Sequence, residues 1–417
     1  MPGALNSNRQ ICLIGAPWCE GQNLEGADLA PLAMREAGLG DAVRRLGYEW
    51  FDSGDVDFAG HFAKQGVKAG SDHHESIALY REWLSGACLD NFSVWARKKS
   101  GMNSPEARRP SHDSPPLAEH GNKLQKVDKD KCDAHAVREE VNVVNAKVMG
   151  EGLKLIHDSV ARAVATEAFV LTVGGDHSIA SASISAVAAK HPDIGVIWID
   201  AHADANTPRT SPSGHYHGMP AAHLMGWFEK PGELGEDLAP GVALKGFDWF
   251  TSGCLPERRL AYIGLRDVDA EEGRMLRASG VTVFTMRDID KHGIAAVTER
   301  AIKAIDPEER CPIHLSLDID GVDPFFAPGT GTCARGGLSY REVHYICEDL
   351  HRTDRMVSMD LVEVNPGIDL PVPTSGAMHG DDPSLKPASP TVRLAVELVL
   401  SALGKTILDP NRALEKE

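Results

Sequence analysis

Short apolar segments alternate with helical patterns along most of this chain, and this alternation restricts the fold more than any other feature. The apolar segments do not alternate cleanly between apolar and polar side chains, so we expect them to be strands buried on both faces. Strands of this kind belong to parallel sheets that are covered by helices. The predicted strands of this kind are Phe169–Val173, Val196–Ile199, Leu260–Gly264, Thr282–Thr285, Ile313–Leu317 and Val357–Val362. Ile11–Gly15 and Tyr48–Phe51 are predicted as two further strands near the start of the chain.

The helical patterns lie between these strands. One predicted helix begins near Pro31, where the missing N–H of proline is not needed, and continues to Leu46, before Gly47. The sequence therefore predicts an α/β fold, a single three-layer domain over residues 1–417 with a mainly parallel β-sheet and helices on both faces. The other predicted helices are Val137–Val164, Ile179–Lys190, Glu271–Ala278, Ile294–Ile305, Tyr340–Arg352 and Thr391–Leu403.

Two polar stretches interrupt the alternation. The first covers about residues 58–135, and its part Asn103–Asp133 is rich in Ser, Pro, Lys, Asp and Asn, which is typical of a poorly ordered surface insertion. Within it, we predict a short amphipathic helix around Glu75–Lys98, which packs on the main domain or, as the alternative, forms a partner site. The second insertion is shorter and covers about residues 367–389.

The charge balance excludes some classes of partner. Lys and Arg total 43 against 60 for Asp and Glu, a formal net charge of −17. This sign argues against nucleic acid or an anionic membrane as a partner and favours a cationic substrate. No apolar run is long enough to span a membrane, Met1–Gln10 lacks the pattern of a secretory signal, and the eight cysteines are scattered. We therefore expect a chain with reduced thiols in the cytoplasm.

The strongest chemical signal is Asp200-Ala201-His202-Ala203-Asp204, directly after a predicted strand. If the backbone stays extended there, residues two apart point to the same side, and Asp200, His202 and Asp204 converge. Ionisable groups crowded in this way repel one another and lose hydration, and a cation compensates both effects. The motif therefore predicts a metal site.

Two other predicted strands end in the same way. Gly174-Gly175-Asp176-His177-Ser178 follows one strand, and Asp318-Ile319-Asp320-Gly321-Val322-Asp323-Pro324 follows the other. Ligands of open parallel sheets bind at the carboxyl ends of the strands, so we expect the three motifs to form one site. We assign Asp176 and Asp323 to supporting or turn roles.

The predicted metal ligands comprise four carboxylates and two imidazoles. Four negative charges match two divalent ions better than one. A donor set without thiolate suits Mn²⁺ and leaves Fe²⁺, Co²⁺ and Zn²⁺ open. Two ions about 3.5–4 Å apart can share a water and lower its pKa, which provides a nucleophile near neutral pH. The six predicted ligands are His177, Asp200, His202, Asp204, Asp318 and Asp320.

These three motifs resemble the signature motifs of the ureohydrolase superfamily, in the same chain order. The similarity covers about residues 10–55 and 137–405, and it is greatest to the arginases. Further segments resemble those of arginases in the turn after the first strand, the substrate loop and two later strand ends. These segments are Gly15-Ala16-Pro17 with Gly21-Gln22, Asn206-Thr207-Pro208, Ser213-Gly214-His215-Tyr216-His217-Gly218, Gly264-Leu265-Arg266-Asp267-Val268-Asp269 and Glu363-Val364-Asn365-Pro366.

The resemblance implies an arginase/deacetylase-like fold and two Mn²⁺ ions per subunit. Asp200 and Asp318 would bridge the two ions, and Asp204 would also orient the attacking hydroxide. One ion would be held by His177, Asp200, Asp204 and Asp318, and the other by Asp200, His202, Asp318 and Asp320.

The resemblance also implies roles around the substrate. Glu363 would pair with the guanidinium group, with Thr332 nearby, and His217 would transfer a proton to the leaving amine. Residue 215 is His where arginases usually carry Asn in the turn that binds the α-carboxylate. The α-carboxylate would contact Asn206, Ser213 and His215, and the α-ammonium would contact Asp269.

The expected activity is hydrolysis of L-arginine to L-ornithine and urea. Asn206 and Ser213 favour a substrate with an amino-acid head, because agmatine has no carboxylate. Two alternatives remain at this point: a ureohydrolase acting on agmatine or another guanidino compound, and a non-catalytic regulatory relative. The resemblance further implies a homotrimer or hexamer with a small-molecule substrate and with neither nucleic acid nor membrane as a partner.

Overall fold

Eight parallel strands form one sheet in the order β2-β1-β3-β8-β7-β4-β5-β6. The computed structural model describes residues 10–65, 142–229, 243–370 and 385–406. All eight predicted strands are present, most of them extended by one or two residues, and Thr282–Thr285 has the predicted bounds. The strands are β1 (Gln10–Ala16), β2 (Glu49–Asp55), β3 (Phe169–Gly174), β4 (Gly195–Ile199), β5 (Leu260–Leu265), β6 (Thr282–Thr285), β7 (Ile313–Asp318) and β8 (Met356–Val362).

Helices cover both faces of this sheet. Because successive strand residues point to opposite faces, Ile11 and Leu13 of β1 belong to one hydrophobic core, and Cys12 and Ile14 belong to the other. The predicted three-layer α/β fold is thereby confirmed. The helices are α1 (Ala30–Glu36), α2 (Leu39–Arg45), α3 (Phe58–Gln65), α4 (Ala146–Val164), α5 (Ala180–Lys190), α6 (Pro220–Leu224), α7 (Ala270–Ala278), α8 (Met286–His292), α9 (Ile294–Ile305), α10 (Tyr340–Arg352) and α11 (Pro390–Ala402).

The helix predictions differ from the structure in several details, and α6 and α8 were not predicted. The single helix predicted from Pro31 to Leu46 is divided into α1 and α2 at Gly38, whose φ of 94° lies in the left-handed region that glycine tolerates. Helix α8 was missed, although Thr285 and Asp288 form a capping box that starts it directly after β6.

The first polar stretch begins with a helix of the main domain. Residues 58–65 form α3, and the rings of Phe58 and Phe62 are buried against Trp18. Helix α4 begins at Ala146, later than the predicted Val137. The predicted helix around Glu75–Lys98 and the polar stretch Asn103–Asp133 lie outside the described residues, as do residues 371–384 of the second stretch.

The sheet order brings together the strand ends that are followed by acidic residues and histidines. Strands β3, β8, β7 and β4 are consecutive neighbours in the middle of the sheet, and all four point the same way. The motifs that follow β3, β4 and β7 therefore meet at one edge, as does Glu363 directly after β8. Among the described helices, none has the length and apolar character needed to cross a membrane.

We expect Phe62→Ala to lower the free energy of unfolding by about 3–5 kcal/mol, because it removes a buried ring that packs on Trp18. Urea denaturation followed by tryptophan fluorescence measures this loss. Phe325→Ala is the matched control, because the Phe325 side chain is 83% exposed and its removal should leave stability nearly unchanged. Equal stability of both variants would show that α3 does not belong to the core.

Candidate active site

The backbone turns sharply where the site begins. Strand β4 ends at Ile199, and Asp204 has a φ of 48°, so the extended alternation predicted for Asp200, His202 and Asp204 does not hold. Glu363, after β8, has a φ of 60°. Non-glycine residues in this left-handed region are uncommon and cost local conformational energy, and such residues concentrate at functional sites.

The first ligand group surrounds one ring nitrogen of His177. Its Nδ1 lies 3.1 Å from an Oδ2 atom of each of Asp200, Asp204 and Asp318. This nitrogen is buried and has no hydrogen-bond partner. An ion held octahedrally at about 2.0–2.1 Å keeps neighbouring ligand atoms about 3 Å apart, so the spacing fits ligands of a shared cation. His177, Asp200, Asp204 and Asp318 could hold one metal ion.

The second ligand group lies beside the first and shares Asp200 with it. The Nδ1 atom of His202 is 3.0 Å from Asp320 Oδ2 and 3.5 Å from Asp200 Oδ1. Asp200, His202 and Asp320 could hold a second ion. Asp318, predicted to bridge both ions, belongs to the first group, and its Oδ1 accepts a hydrogen bond of 2.8 Å from the backbone N–H of Asp320.

Electrostatics show that this cluster needs positive charge. Burial, reinforced by Asp320 and Asp200, raises the pKa of Asp318 well above its ordinary value. Burial and Asp200 likewise raise the pKa of Asp204 to about 6. Carboxylates packed this closely repel one another, and divalent cations relieve the repulsion. The donor set of oxygens and imidazole nitrogens, without thiolate, therefore fits a pair of such ions.

Two supporting contacts around His177 and Asp200 were not predicted. His177 Nε2 lies 2.9 Å from Ser316 Oγ, which leaves Nδ1 directed toward the carboxylates. The imidazole also stacks on Trp198, with ring centroids 4.3 Å apart, and Trp198 Nε1 donates to Asp200 Oδ2. Partners of this kind fix the orientation of metal ligands. Ser316 and Trp198 lie two residues before Asp318 and Asp200, and that spacing on the same strand face could have identified them.

Glu363 is buried next to the first ligand group. Its Oε1 accepts a hydrogen bond of 3.0 Å from the backbone N–H of His177, and its Oε2 accepts one of 2.8 Å from Gln22. His217 Nδ1 lies 3.6 Å from Glu363 Oε1. Burial by itself lowers the pKa of His217, but this contact with Glu363 outweighs burial and raises the pKa to about 9. Burial by itself raises the pKa of the Glu363 carboxyl, but the contact with His217 outweighs burial and lowers this pKa below its ordinary value.

A cavity of about 230 Å³ opens above these residues. Its lining contains seven carboxylate residues and three histidines, and none of the described lining residues is Lys or Arg. The cavity therefore attracts cations. It brings together every predicted substrate residue: Asn206, Ser213, His215, His217, Asp269, Thr332 and Glu363.

The predicted substrate contacts are held by their own hydrogen bonds. Asn206 Nδ2 donates to Asp269 Oδ2 at 3.0 Å, so the residue expected to contact the carboxylate touches the one expected to contact the ammonium group. Thr332 Oγ1 donates to Asp320 Oδ2 at 2.8 Å, which connects it to the second ligand group. Ser213 and His215 lie on one turn of the cavity wall.

Comparison with known proteins agrees with this geometry. The sequence profile of the arginase family matches residues 9–404. The chain belongs to the arginase family. An arginase of Plasmodium falciparum is 35% identical over 409 residues, covering 96% of this chain and 95% of that protein. An arginase of Schizosaccharomyces pombe is 36% identical over 398 residues, covering 95% of this chain and 93% of that protein.

A solved arginase shares the fold. The native structure from Bacillus caldovelox matches with a TM-score of 0.65 and 28% identity, covering 96% of this chain and 99% of that one. This chain is therefore a hydrolase of the ureohydrolase type. The arginase family and the His–Asp cluster together indicate a binuclear metal site.

Glu272 also lines the cavity and was not predicted. Glu272 is buried, accepts from the backbone N–H of Ala205 at 2.9 Å, and forms a capping box with Asp269 at the start of α7. Burial raises the pKa of Glu272 to about 7. The spacing of Asp269 and Glu272 is a helix-start signal that could have placed both side chains at one point.

Loss of one ligand should remove one ion, and loss of the shared ligand should affect both. We expect the wild-type chain to retain two divalent ions, Asp320→Asn to retain about one, and Asp200→Asn to retain the least, because Asp200 belongs to both groups. Elemental analysis after dialysis against metal-free buffer measures the content. Asp269→Asn, a cavity residue outside both groups, is the control and should keep two ions. Two ions in Asp320→Asn would contradict the second ligand group.

Proposed function

We propose that this chain hydrolyses L-arginine to L-ornithine and urea. One observation carries the proposal: the buried, ionised carboxylate of Glu363 lines an anionic cavity and lies next to a pair of metal-ligand groups. A carboxylate in such surroundings needs a cationic partner, and among the described residues of the lining the side chains that can carry positive charge are histidines. A guanidinium group supplies that charge and matches a carboxylate with two parallel hydrogen bonds.

The ions are two Mn²⁺ per subunit. The donor set of four carboxylates and two imidazoles is rich in oxygen, which supports manganese over metals that prefer thiolate. When bound, the ions supply a water of lowered pKa and stabilise developing negative charge. His177, Asp200, Asp204 and Asp318 would hold one ion, and Asp200, His202 and Asp320 would hold the other. The resemblance to arginases adds Asp318 as a second ligand shared by both ions.

The protein's residues fix the substrate over the cluster. Glu363 pairs with the guanidinium group and Thr332 lies beside it, so the guanidinium carbon is held close to the attacking water. Asp269 binds the α-ammonium group. Asn206, Ser213 and His215 donate to the α-carboxylate, which is why a substrate with an amino-acid head is favoured over agmatine.

Two further residues, Asp204 and His217, take part in the proton transfers. Asp204 orients the attacking water by accepting a hydrogen bond from it. One proton of the water passes to the solvent, and the water oxygen forms a bond to the guanidinium carbon. The second proton passes through Asp204 to the substrate's chain nitrogen as the bond between that nitrogen and the carbon breaks. His217, protonated beside Glu363, donates a proton to this leaving nitrogen, so that urea and the amine of ornithine are released.

Assembly and location are part of the same proposal. Membership of the arginase family supports a homotrimer or hexamer that acts on a small-molecule substrate. In the described part of the chain, Cys12, Cys19, Cys254, Cys311 and Cys347 are free thiols, which supports the cytoplasm as the compartment. The role of the chain is then arginine breakdown, as in the urea cycle.

The substrate assignment is tested by a urea assay on manganese-loaded protein with L-arginine and agmatine at equal concentrations. We expect urea from arginine and little or none from agmatine, because only arginine offers a carboxylate to Asn206 and Ser213. Urea from agmatine alone would assign the chain to a different ureohydrolase activity. Retention of metal without urea from either compound would point to a non-catalytic relative.

His217→Asn should lower kcat by about 10²–10⁴, because general acid catalysis is lost. The pKa of His217 is raised to about 9, so the residue is protonated below that value and loses its proton as the pH rises through it. The wild-type kcat/KM should therefore fall above about pH 9, and His217→Asn should lack this basic limb. A pH–rate profile from 6 to 11 checks both; an unchanged limb in the variant would assign it to another group.

A further inference from the structure

The turn that carries Ser213 and His215 is organised by its own hydrogen bonds. In this turn, Ser211–His215, the N–H of Gly214 donates to Ser211 Oγ at 3.0 Å, and the N–H of His215 donates to Ser213 Oγ at 3.2 Å. Ser211 Oγ and Ser213 Oγ lie 3.5 Å apart. When Ser211 donates in that contact, the proton of the Ser213 hydroxyl is free for an anionic acceptor in the cavity.

A second segment, distant in the sequence, holds this turn from outside. The side-chain amide of Asn142 donates to the carbonyl oxygen of Ser211 at 3.2 Å. The backbone N–H of Val144 donates to the carbonyl oxygen of Gly214 at 2.9 Å. The two bonds hold carbonyl groups on either side of Ser213. Neither Asn142 nor Val144 lines the cavity, so they act on it only through the turn.

Gly214 leaves room for this contact. Its φ is 71°, a left-handed conformation that glycine adopts without steric cost. A Cβ at this position would fall 2.7 Å from Asn142 Oδ1. The missing side chain therefore permits both the turn and the close approach of Asn142.

The cavity makes the placement of neutral donors decisive. Its described lining contains no Lys or Arg, and seven of its residues carry carboxylates. A substrate carboxylate has to be held there mainly by hydroxyl, amide, imidazole and backbone donors. Hydrogen bonds weaken steeply when their angle departs from linearity, so a small displacement of Ser213 or His215 weakens carboxylate binding.

We propose that Asn142 and Val144 form a bracket that positions the Ser211–His215 turn and thereby sets the preference for guanidino compounds that carry a carboxylate. This inference rests on the proposed function and identifies a positioning element for that same site. The bracket leaves the guanidinium end, with Glu363 and the metal-ligand groups, unaffected. It therefore acts on the affinity for the amino-acid head and not on the chemical step.

The experiment compares Asn142→Ala and Asn142→Asp with the wild-type, manganese-loaded protein. We expect Asn142→Ala to raise the KM for L-arginine about fivefold, because a change of this size corresponds to the free energy of one hydrogen bond. The same variant should change kcat less than twofold. Asn142→Asp removes the donor and places an oxygen against the Ser211 carbonyl, so its KM should rise further. The matched control is Asn145→Gly, since Asn145 is exposed at the same segment with a φ of 52° that glycine accepts.

Competitive inhibition distinguishes positioning from general damage. The Ki of L-ornithine, which has the amino-acid head, should rise in parallel with the KM, whereas the Ki of the guanidinium ion should stay unchanged. An equal loss of affinity for both inhibitors would overturn the bracket's role in specificity, as would an unchanged arginine KM in both Asn142 variants. If the wild-type protein releases no urea from arginine, the proposed function itself fails, independently of the variants.

Discussion

Repulsion among four buried carboxylates is the constraint on which the rest of the site depends. Asp200, Asp204, Asp318 and Asp320 lie at the ends of two neighbouring strands, where backbone hydrogen bonds and the sheet itself hold them together. Without cations, Asp204, Asp318 and Asp320 destabilise the native state, because desolvation and repulsion from neighbouring carboxylates raise the pKa of each of them above its ordinary value. The fold therefore supplies the energy that brings the carboxylates together, and bound divalent ions relieve the repulsion. Ion binding and native stability are coupled for the same reason.

Much of the architecture could be predicted because strand burial and site chemistry leave local patterns. The eight predicted strands are all found, since apolar runs bounded by polar residues have few alternatives inside a parallel sheet. The exception to this reason is β2, which lies at the sheet edge and is mostly exposed. The sequence also predicted that His177, His202 and Asp320 would meet, because ligand types that directly follow buried strands share one sheet edge. Residues 200–204, however, converge through a turned backbone with a left-handed Asp204, and the extended backbone predicted for them was wrong.

Other features could not be predicted, because they depend on contacts between distant segments or on residues with two possible roles. Gly38 could have been an interior helix residue, and its left-handed φ of 94° in the structure marks it as the break between α1 and α2. Phe58 and Phe62 lie at the start of the predicted polar insertion, and their ring contacts with Trp18 place them in the core. The hydrogen bond from Asn142 to Ser211 spans 69 positions, and no periodicity in either segment indicates it.

The left-handed conformations of Asp204 and Glu363 have a consequence for how such a chain can vary. Glycine or asparagine would occupy these backbone positions with less strain, so selection for stability alone would replace both acids. Activity demands the opposite, because neither replacement carries a negative charge. At these two positions, stability and catalytic activity therefore favour different residues. A library of variants screened only for thermal stability would enrich inactive sequences at both positions.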